Sequence, residues 1–146
     1  MDELVKMLCQ DLEYVTHEIY QDELIYIYVK SKRTEVKCPY CGAIGKRLHS
    51  HYVRRFRDLP IQGKKVEIVL DNRKYFCNNP ECGHKTFAES FDCLPFKGKR
   101  SRRLTEAIIE LSLNVSSVKA ARTLRKGTAD VGKSTICNLL KKGLHN

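Results

Sequence analysis

Cys38-Pro39-Tyr40-Cys41-Gly42 and Cys77-Asn78-Asn79-Pro80-Glu81-Cys82-Gly83 are the two stretches that decide how this chain folds. Each is a short turn with a cysteine at either end and a glycine just beyond. Such turns let backbone NH groups point at sulfur, and two of them together offer four thiolates to one tetrahedral ion. Zinc is the ion that this ligand set suits. Four cysteines close the coordination sphere and leave no position for water, so the expected role is structural, with Cys38, Cys41, Cys77 and Cys82 as ligands. In a small β domain the ~10–16 kcal/mol of zinc binding can exceed the stability of a typical fold. His49, His51 and His84 are alternative ligands. His84 follows Cys82 too closely to serve comfortably beside it, and the other two share a strand face with arginines. Cys9, Cys93 and Cys137 have no partner at ligand spacing and read as packing residues.

Between the two turns the hydrophobic period is two. Over residues 47–57, Leu48, Tyr52 and Phe56 fall on one face and Arg47, His49, His51, Arg55 and Arg57 on the other. Val66, Ile68 and Leu70 repeat the period after a turn at Gln62-Gly63, which predicts an antiparallel pair with one strongly basic face. A hairpin flanked by two cysteine turns is the plan of a zinc ribbon. Upstream, Leu4, Leu8 and Leu12 at four-residue spacing predict a short amphipathic helix, and Leu24 to Val29 a strand.

Beyond the second turn the texture changes. Lys97-Gly98-Lys99-Arg100-Ser101-Arg102-Arg103 has five basic residues and no apolar one, and reads as a linker. Leu104, Ala107, Ile108 and Leu111 then form a helical stripe, ending near Asn114. A second helix is expected from Ser116 or Ser117 to about Leu124, capped by either serine. A third runs from about Lys133 to Lys142, with Gly143 where helices often stop. The expected fold class is α+β: a small antiparallel β zinc ribbon followed by a three-helix helix-turn-helix domain. The expected divisions are an N-terminal helix at 1–14, the zinc-ribbon β domain at 15–96, the basic linker at 97–103 and the helix-turn-helix domain at 104–146.

The net charge of +10 is unevenly spread: residues 1–30 hold two Lys/Arg and seven Asp/Glu. A basic body behind an acidic leader is the footprint of a polyanion ligand, nucleic acid first. In the third predicted helix Ile136, Leu139 and Leu140 face one way; Ser134, Asn138 and Lys141 lie opposite, flanked by Thr135 and Lys142. Short polar and basic side chains behind an apolar stripe suit a helix in the major groove. The expected DNA contacts are therefore Ser134, Thr135 and Asn138 on base edges, with Lys133, Lys141 and Lys142 on phosphate or guanine. Arg54, Arg55, Arg57, Lys97, Lys99, Arg100, Arg102 and Arg103 are expected on phosphates. The acidic N-terminus is no signal peptide, and no apolar run reaches the ~18 residues of a membrane span. A cytoplasmic, nucleoid-associated protein is expected, whose reducing surroundings make seven cysteines a poor disulfide framework.

Gly127-Thr128-Ala129-Asp130-Val131-Gly132-Lys133-Ser134 matches the phosphate-binding G-x-x-x-x-G-K-[ST] pattern. That chemistry needs a strand before the loop and an acidic strand end for magnesium. The preceding residues read as helix and few follow, so the match is a decoy and no nucleotide is expected.

Residues 38–90 resemble the N-terminal zinc ribbon of the ISL-three family of insertion-sequence transposases, within a resemblance that covers roughly residues 15–142. The likeness rests on the Cys38 knuckle, His49-Ser50 with Tyr52 and Arg55, Asp58-Leu59-Pro60, Gly63, the Cys77 knuckle and Thr86-Phe87-Ala88-Glu89. Ala120-Ala121 and Lys133-Ser134-Thr135-Ile136 resemble the helix-turn-helix that follows in that family, although the turn from Arg125 to Gly132 is longer than usual. The resemblance implies sequence-specific binding to double-stranded DNA at terminal inverted repeats. A homodimer is left open, and the other reading is a zinc-ribbon adaptor for RNA or protein. Such transposases continue into an RNase H-like catalytic domain. With the sequence stopping at Asn146, the expectation is a DNA binder, not an enzyme.

Overall fold

Long alternating strands with a two-residue turn between them pair as a hairpin, and the centre of this protein is such a hairpin. The computed structural model describes residues 1–114, 117–125 and 132–145. The hairpin consists of β5 (Leu48–Ile61) and β6 (Lys64–Phe76). Gln62 at φ 50° and Gly63 at φ 76° close it, with Ile61 paired to Lys64. Two left-handed residues in succession match the twist of the flanking strands.

Around this hairpin the chain adds α1 (Asp2–Leu8), β1 (Leu12–Tyr20), β2 (Leu24–Ser31), β3 (Val36–Lys37), β4 (Ile44–Gly45) and β7 (Thr86–Ala88). The main sheet has the order β1-β2-β6-β5, with β7 pairing the last residues of β6. β1 and β2 form an antiparallel hairpin, yet β2 lies parallel to β6, from Leu24 beside Lys65 to Lys30 beside Asp71. β3 and β4 make a separate small ladder. Three helices follow: α2 (Arg102–Asn114), α3 (Ser117–Arg125) and α4 (Lys133–His145). Among the described residues no helix is long and apolar enough to cross a membrane.

Three apolar clusters hold these parts. Val5 and Cys9 cover a core of Leu12, Ile25, Ile27, Val29, Phe56, Val66, Ile68 and Leu70, closed by Phe91 and Leu94. Val36, Cys38, Tyr75 and Phe87 form a second cluster. Alternation along β6 puts Leu70 and Tyr75 on opposite faces, so one strand serves a core on each side. The third cluster joins Leu104, Ile108, Ala121, Leu124 and Ile136, and it takes Leu59 from β5.

The expected fold class is overturned. The chain is mostly strand, with a mixed five-stranded sheet and short helices, not a small antiparallel ribbon followed by a three-helix helix-turn-helix domain. The sequence signal failed in two places. β1 has no clean alternation, since Val15, Ile19 and Tyr20 remain exposed at the sheet edge. The β2–β6 pairing joins segments far apart in sequence, which local periodicity cannot show. The N-terminal helix is also shorter than expected. Leu12 is fully buried as the first residue of β1, Leu4 is half exposed, and the helix buries Val5 instead.

Residues 97–103 run alongside β5. Arg57 and Arg100 form a parallel bridge, Arg57 NH donates to the Lys99 carbonyl at 2.9 Å, and Ser101 NH donates to the Arg57 carbonyl at 2.8 Å. Ser101, fully buried, caps α2 by accepting the Leu104 NH at 3.2 Å. Its hydroxyl donates to Asp58 Oδ1 at 2.7 Å, which ties the helix start to the strand.

Candidate metal centre and nucleic-acid surface

Each cysteine turn is shaped by its own backbone. At the first, Gly42 at φ 79° donates its NH to the Cys38 carbonyl at 2.8 Å, and Cys38 NH donates to the Ala43 carbonyl at 2.8 Å. At the second, Asn79 Oδ1 accepts the Glu81 NH at 3.0 Å and the Asn79 carbonyl accepts the Cys82 NH at 3.1 Å. The NH groups of Ala43, Asn79 and His84 bond the sulfurs of Cys41, Cys77 and Cys82, in each case from two residues on. Gly45, on β4, lets the Phe87 ring lie against the knuckle: a Cβ there would meet the ring at 2.8 Å.

The four ligand sulfurs lie within 4.8 Å of one another. Cys38 and Cys82 Sγ are 3.9 Å apart, and Cys41 and Cys77 Sγ are 3.5 Å apart. Tetrahedral zinc at ~2.3 Å from each thiolate requires sulfurs about 3.8 Å apart, so the cluster fits the ion. Without metal the sulfurs compete for protons. The Ala43 NH helps to bring Cys41 down to about 6. At Cys77 the Asn79 NH pulls downward, but burial and the neighbouring thiols prevail and push it up to about 12. Zinc relieves this conflict by holding all four as thiolates, and its role here is structural.

The histidines stand apart from the cluster, which among the described residues consists of cysteines only. His84 stacks on Tyr40 at 3.5 Å between ring centres, His49 meets the edge of Phe76, and His51 Nδ1 lies 3.0 Å from Asp71 Oδ1. Cys9 and Cys93 are a pair that spacing did not reveal. The Cys93 thiol beside Cys9 brings it down to about 6, and that same contact, with burial, pushes Cys93 well above the usual thiol range.

The basic residues expected on phosphates divide into two groups. Arg54 Nη2 donates to the carbonyls of Pro95 at 2.8 Å and Gly98 at 3.3 Å. Arg102 Nε donates to the Asp92 carbonyl at 2.5 Å, and Arg103 holds Asp58 through two bonds. Arg55 and Arg57 both face Glu67 across the strands, at 3.6 and 4.0 Å. Lys97 and Lys99 are exposed and Arg100 is half-buried. On α4, Ile136 is buried with Leu139 and Leu140 packed beside it, while Lys133, Ser134, Asn138 and Lys141 are exposed and Thr135 is half-buried. The side chain of Lys142 and residues 127–131 of the P-loop letters lie outside the described residues.

Sequence reasoning missed Glu89. It is buried, accepts from Ser31 Oγ at 2.6 Å and Arg73 Nε at 3.1 Å, and has Arg33 Nη1 at 3.6 Å. This network joins β2, β6 and the end of β7. Its one signal was the motif Thr86-Phe87-Ala88-Glu89, which spacing alone does not explain.

Residues 34–84 match the zinc-finger of transposase IS204/IS1001/IS1096/IS1165. Over 97 residues the chain is 33% identical to the transposase for insertion sequence element IS1001 of Bordetella parapertussis, an alignment covering 64% of this chain and 22% of that protein. The chain thus spans about a fifth of the length of this relative. No solved structure matches.

Proposed function

We propose that this chain, which carries at residues 34–84 the zinc ribbon of the ISL-three family of transposases, binds double-stranded DNA at the terminal inverted repeats of an insertion sequence. The observation that carries this reading is the placement of α4. Its apolar side is locked against α2 and α3, and Lys133, Ser134, Asn138 and Lys141 are left exposed. Short polar side chains beside lysines supply base-edge and phosphate contacts together. Exposed Lys97 and Lys99 add cations at the edge of β5. The Asp58 contacts and Leu59 of β5 hold α2 in place, so that backbone and base contacts keep a fixed spacing. Rigidity of this kind gives register on a duplex.

The relative's printed name, a transposase, supports nucleic acid as the ligand. The test is a binding titration with the zinc-loaded chain on three probes: a duplex bearing the element's terminal repeat, a random duplex and a single-stranded RNA. Tighter binding to the repeat, with a shared steep salt dependence, is the expected result. Equal or tighter binding to RNA would overturn the proposal in favour of an RNA adaptor.

A further inference from the structure

Phe96 is 79% exposed, more than any other large apolar side chain among the described residues. It sits on a turn in which Gly98 NH donates to the Pro95 carbonyl at 2.8 Å and Lys97 adopts φ 56°. A turn with a left-handed third residue calls for glycine or asparagine at that place. The chain has a glycine one residue later and keeps lysine in the left-handed position. Strain held at a surface turn points to use of the side chain it presents. Arg54 grips both ends of this turn, at Pro95 and Gly98, so Phe96 and Lys97 stand on a braced platform. Lys97 Nζ lies 5.5 Å from the Phe96 ring centre.

The platform forms one wall of a surface groove of about 750 Å³, with Tyr40 and Tyr52 also lining it. Both tyrosines are exposed, and one face of the Tyr40 ring is already stacked on His84. Arg54, Lys97 and Arg102 surround the groove, and Asp92 is the exposed acid among its lining residues. Glu89 beneath is neutralised by Arg73 and Arg33. Exposed aromatic faces ringed by cations suit a flat, electron-rich ring carrying a phosphate.

We infer that this groove takes an unpaired DNA base, stacked on Phe96 with its phosphate beside Lys97. The inference rests on the DNA-binding reading. It adds a second kind of contact, since the exposed residues Lys133, Ser134, Asn138 and Lys141 of α4 and Lys99 beside β5 offer no aromatic face. The base could come from a single-stranded end or from a nucleotide drawn out of a duplex, and both present the same ring and phosphate.

The experiment uses the zinc-loaded full chain and three DNA probes of one sequence: an intact duplex, the duplex with a single unpaired 2-aminopurine, and the duplex with a short single-stranded end carrying 2-aminopurine. The expected result is tighter binding to at least one unpaired probe, by roughly tenfold, with quenching of its fluorescence as the base stacks. The probe preferred identifies the source of the base. Phe96→Ala removes only an exposed side chain, so it should fold normally and bind all three probes alike. Lys97→Gly should relieve the turn, raise the Tm slightly and weaken the preference. Equal affinity of the parent for all three probes, or a preference retained by Phe96→Ala, would overturn the inference and leave duplex binding standing. Failure to bind any DNA would overturn both.

Discussion

Arg103 holds Asp58 through two parallel bonds, Nε to Oδ1 at 2.9 Å and Nη2 to Oδ2 at 2.6 Å. Asp58 is almost fully buried on β5, and the Ser101 hydroxyl reaches the same Oδ1. The carboxylate is thus the point at which the first turn of α2 is fixed to the sheet. A run of charge that reads as a solvated linker contains the cap and the clamp of a helix.

Removing Arg103 leaves a buried carboxylate with one hydroxyl partner, and such a loss costs about 3 kcal/mol or more. Arg103→Ala and Asp58→Ala should each lower stability in urea unfolding. The double variant should lose less than the sum, with a coupling of about 0.5–3 kcal/mol. Strict additivity would show that the contact carries no energy.

Zinc and the knuckle core should stand or fall together. Cys38→Ser, Cys41→Ser, Cys77→Ser and Cys82→Ser should each release the metal, measured with a colorimetric chelator, and loosen the cluster of Val36, Tyr75 and Phe87. The separate core around Phe56 and Leu70 should persist, so the far-UV signal of the main sheet should remain. Cys9→Ser, Cys93→Ser and Cys137→Ser should keep zinc.

The Cys9–Cys93 pair gives stability a pH dependence of known sign. Folded Cys9 ionises near 6, against an ordinary 9.0, while Cys93 is pushed upward. Between about pH 6 and 9 the folded pair then holds one proton and the unfolded pair two, so stability rises with pH. Above about 9 the unfolded pair loses both and the folded pair retains one, so stability falls. The Tm difference between the parent and Cys93→Ala should follow this rise and fall. A difference independent of pH would refute the shared proton.

Salt titrations should separate the basic residues by their partners. Substituting Lys97 and Lys99 with Gln should weaken binding to every duplex and flatten the salt dependence, by about 0.9 log units of slope per phosphate contact. The Tm should hardly move. Arg54→Gln and Arg102→Gln should lower the Tm as well, because both side chains hold backbone carbonyls of the fold. Asn138→Ala should instead cost ~1–3 kcal/mol of discrimination between sequences and leave the slope unchanged.

The sequence by itself determined the zinc ligands, the β5–β6 hairpin and the inward stripe of α4. Each is a local pattern: cysteines with two and four residues between them in turns, a period of two, a period near four. Local backbone geometry converts such spacing directly into direction. Only the tertiary structure decided the parallel pairing of β2 with β6, the burial of Leu12 in β1 and the meeting of Cys9 with Cys93. These depend on segments distant in sequence reaching a common surface, which no local period records. It also decided which cations have partners inside the fold. Arg103 and Lys99 lie a few residues apart in one basic run, yet Arg103 is bonded to Asp58 and Lys99 is exposed. The difference arises because residues 99–101 bond to Arg57 in β5, and that pairing brings the first turn of α2 over a carboxylate that must be neutralised to be buried.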